Sequence, residues 1–360
     1  MADTFIRLDR DIDGRSVHRR HHIKGDGRDL FLYGYTPPIG ARIAGEDLPM
    51  SSGGVLRHHP LRQEWSIYAA ARQNRTYKPN QAANPLAPSQ AGKPLTEVPF
   101  TDFELAVFTN RFPSLSADAG PSDFPHVETR AARGQCEVIV YAPEPDGSLA
   151  TLGQDRRRLL LEAWIDRYQA MFAAGCAFVL PFENRGDAVG VTLHHPHGQL
   201  YGFPLIPTPQ ANALAAFEAG YDLCAELKRW GKDYHIAEAG GVFAYAPPFA
   251  RFPYEVWISA ARPVSGPWAF DATQSDGFAY LLGDVIARYD AFFGCDTPVM
   301  LTLHAAPYGH DNAFQFSAQF YPLLRAQDRI KYLASVEQAT GIFTVDIMPE
   351  QTAERLRGVL

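Results

Sequence analysis

The sequence predicts an α+β fold made of two tandem copies of one structural unit. In each copy a strand is followed by a helix and then by two further strands. The first copy takes its strand from 137–141, its helix from 152–174 and its next strand from 178–182, and it ends in the histidine-bearing stretch 190–199. The second copy uses 254–259, 278–293, 299–304 and 314–321. The repeated order of elements indicates a duplication, and it places Ser317 and Gln319 where His195 and His197 stand.

The two helices are predicted from apolar residues that recur at helical spacing. In the first helix these are Leu159, Leu160, Trp164, Tyr168 and Met171, and in the second they are Leu281, Leu282, Val285, Ile286 and Tyr289. Prolines stop the strands that precede the helices, because proline cannot donate to a strand ladder.

The remaining segments complete the predicted domain order. The charged residues 1–30 are expected to form a solvated arm. Further strands are expected at 30–35, within 57–68 and at 104–109, the proline-rich 79–100 should be a loop, and helices are expected at 210–232 and from residue 349. We therefore divide the chain into an N-terminal arm and lead-in (1–53), an N-terminal catalytic half (54–208) and a C-terminal degenerate half (209–360).

Composition excludes several classes of protein. The formal net charge of −7 and the pI near 5.9 argue against a nucleic-acid binder. No apolar run approaches the roughly 18 residues that a membrane span needs. The first residues lack the apolar segment of a secretory signal, so a cytoplasmic location is expected.

The stretch from His194 to Gln199 holds three of the twelve histidines. Side chains alternate along a strand, so His195, His197 and Gln199 point to one face. Pro196 cannot donate to a ladder, which indicates an edge or a locally free backbone. Two imidazoles and an amide on one face form a candidate catalytic or metal-binding site.

Three explanations of this cluster remain open from the residues alone. The histidines could bind a metal, although the chain has no C-x-x-C to complete a zinc site. One imidazole could be a nucleophile that attacks phosphorus, with Gln199 and the cationic Arg72 and Arg75 on the phosphoryl oxygens. The histidines could also be ordinary core or surface residues. A serine elbow, a Walker A loop and a G-x-G-x-x-G loop are absent from the sequence.

The motif His195-Pro196-His197-Gly198-Gln199 resembles the H-P-H-G-Q signature of the galactose-1-phosphate uridylyltransferases, a branch of the histidine-triad superfamily. Other blocks resemble the same family over about residues 55–358: 182–186 (FENRG), 110–115 (NRFPSL), 320–325 (FYPLLR) and 353–357 (AERLR). The resemblance implies two tandem histidine-triad-like halves with antiparallel sheets flanked by helices, the second half degenerate, in a homodimer. It also implies a ping-pong transfer from UDP-glucose to galactose 1-phosphate through a uridylyl group on His197.

The resemblance also assigns roles to residues. Gln199 would bond a non-bridging phosphoryl oxygen. His195 is a zinc ligand in the family members that bind zinc, and without the other zinc ligands it is left here as a residue that supports His197. Phosphate would be held by Arg72 and Arg75; the uridine pocket would be lined by Asn110, Phe112 and Val138; Asn184, Gly190 and Thr192 would lie near the phosphates; and Lys331 and Glu337 would contact the hexose.

Three departures from the family change the expectations. Members with zinc use two cysteines and two histidines; here Asn84, Ala87 and Pro145 stand at three of these positions and only His195 remains. A second family metal site keeps only His304, with Ala213, Ser317 and Gln319 at the other positions. We therefore predict no metal and no cofactor. A hexose-contacting glutamine after Glu337 has no clear counterpart, and Phe343 lies near its position.

Two alternatives to the galactose reaction follow. One is an ADP-sugar phosphorylase, or another nucleotidyltransferase of the same superfamily that acts on nucleotide sugars and hexose 1-phosphates. The other is a non-catalytic protein that binds nucleotide sugars.

Overall fold

The chain forms a large antiparallel sheet with its two longest helices on one face. The computed structural model describes residues 3–12, 15–47, 49–51, 53–74, 84–121, 124–191 and 193–360. The strands are β1 (Thr4–Ile12), β2 (Arg15–Ile23), β3 (Asp29–Gly34), β4 (Val55–His59), β5 (Glu64–Tyr68), β6 (Leu105–Thr109), β7 (Thr129–Ala131), β8 (Gln135–Val140), β9 (Phe178–Arg185), β10 (His197–Phe203), β11 (His235–Ala239), β12 (Val242–Tyr245), β13 (Val256–Ala260), β14 (Val299–His304), β15 (Ser317–Pro322), β16 (Leu324–Ala326) and β17 (Arg329–Ile330). The helices are α1 (Gln154–Ala173), α2 (Thr208–Glu218), α3 (Leu223–Trp230), α4 (Ala272–Phe293), α5 (Ser335–Thr340) and α6 (Pro349–Arg357).

The sheet order confirms the predicted duplication. Twelve strands lie in the order β1-β2-β3-β6-β8-β10-β9-β14-β15-β13-β12-β11. The halves meet where β9 pairs antiparallel with β14, from Arg185–Val299 to Phe182–Thr302. Outward from this seam each half repeats the same order, with β9, β10 and β8 matching β14, β15 and β13. The two halves therefore share one continuous sheet rather than holding separate sheets.

The helices α1 and α4 occupy matching positions in the two halves and pack against each other. Their apolar residues join those of the sheet in one large core that includes Trp164, Tyr168, Phe278 and Tyr289. Burial of this much apolar surface is the main stabilising term of the fold.

The strand register matches the two halves two residues away from the predicted match. The caps that end the helices, Ala174 and Gly294, lie 120 residues apart, as do the strand starts His197 and Ser317. Ser317 therefore matches His197, and Gln319 matches Gln199 instead of His197. The prediction was wrong because a period of two keeps the face but does not fix the register.

The solvated arm expected over residues 1–30 is instead the β1–β2 hairpin, which extends the sheet. Its charges are paired: Arg20 Nε lies 2.5 Å and His22 Nδ1 lies 2.7 Å from the carboxylate of Asp3. Arg19 lies 2.7 Å from Asp166 on α1. A charged strand was therefore mistaken for a solvated segment, because its partners lie far along the chain.

The single helix expected over 210–232 is two helices broken at Gly220, which has a φ of 97°. Asp222 caps the second helix by accepting from the backbone N–H groups of Cys224 and Ala225. The hairpin of β11 and β12 was not predicted. Its turn residues Gly240 and Gly241 both have positive φ, the conformation that a tight hairpin requires.

Within the described residues, no helix is both long enough and apolar enough to cross a membrane.

Candidate active site

One pocket gathers five of the residues that the sequence singled out. They are Asn110, Phe112, Val138, His197 and Gln199. The rest of its lining is Pro85, Leu86, Glu97, Phe108, Arg111 and Leu193. The pocket lies over the row of paired residues Phe108, Val138 and Gln199 on β6, β8 and β10.

The strand order explains why these residues meet. The neighbours β6, β8 and β10 are paired antiparallel, with Gln199 opposite Val138 and Thr109 opposite Glu137. His197 and Gln199 lie two apart on β10 and so share a face. Asn110 follows β6 directly, and its Oδ1 accepts from the backbone N–H of Phe112 at 2.9 Å, which fixes a turn into the pocket.

The ring of His197 is oriented by the backbone two residues before it. Its Nδ1 lies 2.7 Å from the carbonyl oxygen of His195. A carbonyl only accepts, so Nδ1 donates, and in the neutral imidazole Nε2 then carries the lone pair. This is the protonation state that a nitrogen nucleophile needs.

Gly198 lets the strand approach its neighbours between the two functional side chains. A Cβ at this position would lie 2.5 Å from the hydroxyl of Tyr141 and 2.9 Å from the carbonyl oxygen of Phe182. That hydroxyl donates to the buried carboxyl of Glu183 at 2.9 Å. Burial raises the pKa of Glu183 to about 7, and the effects of Tyr141 and Arg185 lower it only in part. The glycine of the motif is therefore required by packing.

His195 is buried, with 2% of its surface exposed, and both of its ring nitrogens are engaged. Nε2 lies 2.7 Å from the carbonyl oxygen of Ala142, and Nδ1 lies 2.9 Å from the side-chain nitrogen of Asn84. Burial lowers the pKa of His195, which favours the neutral ring. His195 is therefore built into the wall behind His197.

Gln199 keeps unused hydrogen-bonding capacity. Its Oε1 is buried and has no partner among the residues that the structure describes. An unpaired buried polar atom costs about 1–3 kcal/mol, so such atoms are rare outside functional sites. The amide oxygen is therefore available to accept a hydrogen bond from a ligand that enters the pocket.

A charge cluster behind the pocket wall was missed by the sequence reasoning. Glu97 lines the pocket, and its Oε2 lies 2.7 Å from both Lys24 Nζ and Arg28 Nη1. Burial raises the pKa of Glu97, but Lys24 and Arg28 together outweigh it and keep the carboxylate ionised. Arg111 lies 3.8 Å from the other oxygen. No sequence pattern indicates this cluster, because its residues come from a charged segment and a proline-rich loop.

Three of the predicted phosphate-binding residues, Arg72, Asn184 and Gly190, lie outside the lining of this pocket. Arg72 donates to the carbonyl oxygen of Phe112 and to the hydroxyl of Tyr201, both at 3.1 Å. Asn184 pairs with Met300 at the seam, and Gly190 ends a short 3-10 turn with a φ of 78°. Arg75 and Thr192 lie outside the described residues. Their phosphate roles stay predictions.

The predicted hexose contacts also stand apart from the His197 pocket. Lys331 Nζ donates to Glu337 at 2.9 Å and to the carbonyl oxygen of Thr344 at 2.7 Å. The hydrogen bond from Lys331 is the main cause that lowers the pKa of Glu337 to about 2. The two residues form a local ion pair, and their role in hexose binding stays a prediction.

The residues present do not fit the zinc site of the family. Asn84 and Ala87 offer no thiolate, and both ring nitrogens of His195 are taken by the fold. Within the described ranges, no group of three or more His, Cys, Asp or Glu side chains is arranged to hold a metal ion.

The second family metal position does not fit a metal either. His304, Ala213, Ser317 and Gln319 line a cavity of about 320 Å³ in the C-terminal half. Nε2 of His304 lies 2.9 Å from the hydroxyl of Thr302, and Gln319 donates to Ser317 at 2.9 Å. Burial lowers the pKa of His304 to about 4. One imidazole among hydrogen-bonded neutral groups is a poor ligand set.

Comparisons with known proteins match this arrangement. The family model described as "Galactose-1-phosphate uridyl transferase, N-terminal domain" matches residues 42–207. The galactose-1-phosphate uridylyltransferase of Thermotoga maritima is 33% identical over 315 residues, which cover 84% of this chain and 97% of that protein. The enzyme of that name from Streptomyces lividans is 29% identical, covering 93% and 96%. A solved structure of a uridylyltransferase superposes with a TM-score of 0.75 at 24% identity, covering 85% of this chain and 98% of that one.

Proposed function

The chain belongs to the galactose-1-phosphate uridylyltransferase family, and we propose that it transfers uridylyl groups from UDP-glucose to galactose 1-phosphate through His197. The observation that carries the role of His197 is the 2.7 Å hydrogen bond from its Nδ1 to the carbonyl oxygen of His195. This bond leaves the lone pair on Nε2, in a pocket that also presents the amide of Gln199.

In the first half-reaction, Nε2 of His197 attacks the α-phosphorus of UDP-glucose. A P–N bond forms while the P–O bond to the sugar phosphate breaks, and glucose 1-phosphate leaves with the bonding electron pair. Positive charge that develops on the ring is stabilised by the Nδ1–H bond to the carbonyl oxygen of His195. The product is a uridylyl group on His197.

In the second half-reaction, a phosphate oxygen of galactose 1-phosphate attacks the same phosphorus. The P–N bond breaks, the electron pair returns to Nε2, and UDP-galactose leaves. The enzyme is back in its starting state, so one site serves both sugars in turn.

The pocket supplies groups for the nucleotide. Phe112 and Val138 offer apolar surface, and Asn110 is held in its turn beside them. Gln199 lies two residues after His197 on the same face, so its amide would contact the phosphoryl group that His197 attacks. We extend the proposal to Arg72 and Arg75 as phosphate contacts and to Lys331 and Glu337 as hexose contacts.

We also propose that the protein is a homodimer that needs no metal or cofactor, as the family resemblance and its departures imply. Light scattering at micromolar concentration tests the first point, and a monomer mass would contradict it.

The direct test is incubation with UDP-glucose that carries a label in the α-phosphate. We expect acid-labile UMP on the protein and release of glucose 1-phosphate, and we expect His197→Ala to abolish both. His194→Ala is the matched control, because the His194 side chain is 71% exposed and lies outside the pocket lining. Wild-type protein that never takes up label would refute the proposal.

The same labelling separates the nearest alternative. ADP-glucose in place of UDP-glucose should leave little AMP on the protein. Preferential labelling by ADP-glucose would make the chain an ADP-sugar transferase. Nucleotide-sugar binding without release of sugar phosphate would make it a binding protein.

A further inference from the structure

The imidazole of His195 is held at both ring nitrogens by uncharged partners. Nε2 lies 2.7 Å from the carbonyl oxygen of Ala142, which only accepts, so Nε2 carries the ring proton. Nδ1 lies 2.9 Å from the side-chain nitrogen of Asn84. In this tautomer Nδ1 has the lone pair, so it accepts a hydrogen bond from the Asn84 amide.

A second hydrogen bond fixes the orientation of the Asn84 amide. Its Oδ1 accepts from the backbone N–H of Leu86 at 3.0 Å. The reversed amide would place its NH₂ against that N–H and its oxygen against the lone pair of Nδ1. Only the observed orientation satisfies both neighbours, so the position of Asn84 selects one tautomer of His195.

The contact between Asn84 and His195 is connected to His197 through the backbone. The carbonyl oxygen of His195 accepts from Nδ1 of His197 at 2.7 Å. The next carbonyl, of Pro196, accepts from the backbone N–H of Tyr141 at 3.2 Å. A shift of the His195 ring would move the carbonyl that orients His197. Leu86, which follows Asn84 in its turn, is itself part of the pocket wall.

We propose that Asn84 is a positioning residue for uridylyl transfer: its amide holds His195, and the carbonyl of His195 holds His197, without a metal ion at this site. This inference rests on the proposed function. Asn84 stands where the zinc-binding members of the family have a cysteine. Here the amide of Asn84 makes the contact that orders His195. Ordered outer contacts of this kind keep a reacting group in productive geometry.

Two variants separate the donor from the rest of the side chain. Asn84→Asp keeps an oxygen for the N–H of Leu86 but replaces the donor to Nδ1 with an acceptor. Asn84→Ala removes both contacts. We expect the rate of His197 labelling by UDP-glucose to fall about 10- to 100-fold in both, with a smaller change in the KM for UDP-glucose.

The C-terminal half offers a matched control. The side-chain nitrogen of Gln210 lies 3.4 Å from Nδ1 of His304, which is another amide beside a histidine. Gln210→Ala should leave the labelling rate within about twofold of the wild type, because nothing beyond His304 depends on that contact for chemistry. Rates that fall equally in the Gln210 and Asn84 variants would assign both to general stability and overturn the proposal.

Nitrogen NMR of histidine-labelled protein gives a readout that needs no turnover. In the wild type we expect His195 to be protonated only at Nε2, and in Asn84→Asp we expect a proton at Nδ1. Metal analysis of the active wild type should find well below one zinc per chain, with no loss of labelling after chelation. A wild-type His195 protonated at Nδ1, or stoichiometric zinc whose removal stops labelling, would overturn the positioning role. A wild type that takes up no label but shows the expected tautomer would instead overturn the proposed function alone.

Discussion

The two halves place a glutamine at the same point of the sheet and treat it in opposite ways. In the N-terminal half, Oε1 of Gln199 is buried without a partner among the described residues. In the C-terminal half, the matching Gln319 donates to Ser317 and accepts from Tyr321. The oxygen of the first amide is left for a ligand, whereas both ends of the second amide are hydrogen-bonded within the protein. The duplication therefore preserves the scaffold in both halves, and of the two matched glutamines Gln199 is the one with an unpaired oxygen.

The residues near these two glutamines also differ, and again the N-terminal half has the more polar residue. His197 matches Ser317, whose hydroxyl accepts a hydrogen bond from Gln319. Glu183 matches Leu303, so a buried carboxyl in one half is a fully buried apolar residue in the other. At this matched position the N-terminal half therefore carries a carboxyl group that is expensive to bury, and the C-terminal half has an apolar core residue.

The largest effect should come from the nucleophile positions. His197→Ala should lower turnover by at least about 10⁴-fold, because the proposed covalent intermediate forms on the ring that this change removes. Ser317→Ala should leave turnover within about twofold, since Ser317 lines the C-terminal cavity and not the His197 pocket. Steady-state assays with UDP-glucose and galactose 1-phosphate measure both. Equal losses in the two variants would contradict the division of labour between the halves.

Substitution of the two glutamines should affect different properties, the reaction rate for Gln199 and the stability for Gln319. We expect Gln199→Ala to lower the first half-reaction by about 10²- to 10³-fold, as loss of a donor to a charged transition state does. Gln319→Ala should leave the rate unchanged and lower the free energy of unfolding by about 1–2 kcal/mol, because Ser317 and Tyr321 lose a buried partner. Rapid-quench labelling and denaturant unfolding provide the two numbers. A catalytic loss in Gln319→Ala would give the second half a role in the reaction.

The smallest expected effect concerns Glu183 and the pH dependence of stability. Burial raises the pKa of Glu183 from 4.5 to about 7, so the folded chain holds a proton that the unfolded chain has released. The contribution of Glu183 to stability should therefore fall as the pH rises from about 4.5 to 7. Glu183→Gln removes that slope, and at pH 8 its free energy of unfolding should exceed that of the wild type by up to roughly 3 kcal/mol.

Denaturant titrations between pH 4.5 and 8 check this expectation. Glu128→Gln serves as the control, because Glu128 is exposed and its replacement should leave the slope as it is in the wild type. An unchanged slope in Glu183→Gln would mean that the carboxyl is ionised in the folded protein.

Sequence reasoning found the parts of this comparison that are local. The helices α1 and α4 and the strand β14 follow from apolar periodicity, and His197 with Gln199 follows from a short motif. The offset between Gln319 and Gln199 could not be found, because register depends on pairing between strands that are distant in sequence. The same reason hid the burial of Lys24 and Arg28, whose partner Glu97 lies about seventy residues away.

The N-terminal residues show how charge patterns mislead. Arg19, Arg20 and His22 form the charged run expected of a solvated segment, yet each pairs with a carboxylate across the sheet or on α1. Arg72 and Asn84 are residues whose structural contacts could not be predicted from the sequence. Each makes contacts more than thirty residues away that no spacing rule predicts.

The most direct test of the account is the location of the covalent uridylyl group. Wild-type protein is incubated with labelled UDP-glucose without an acceptor, and its peptides are mapped by mass spectrometry under non-acidic conditions. We predict one uridylyl group per chain, attached to Nε2 of His197, which galactose 1-phosphate discharges as UDP-galactose. A group found on the C-terminal half, or on any residue other than His197, would contradict the account.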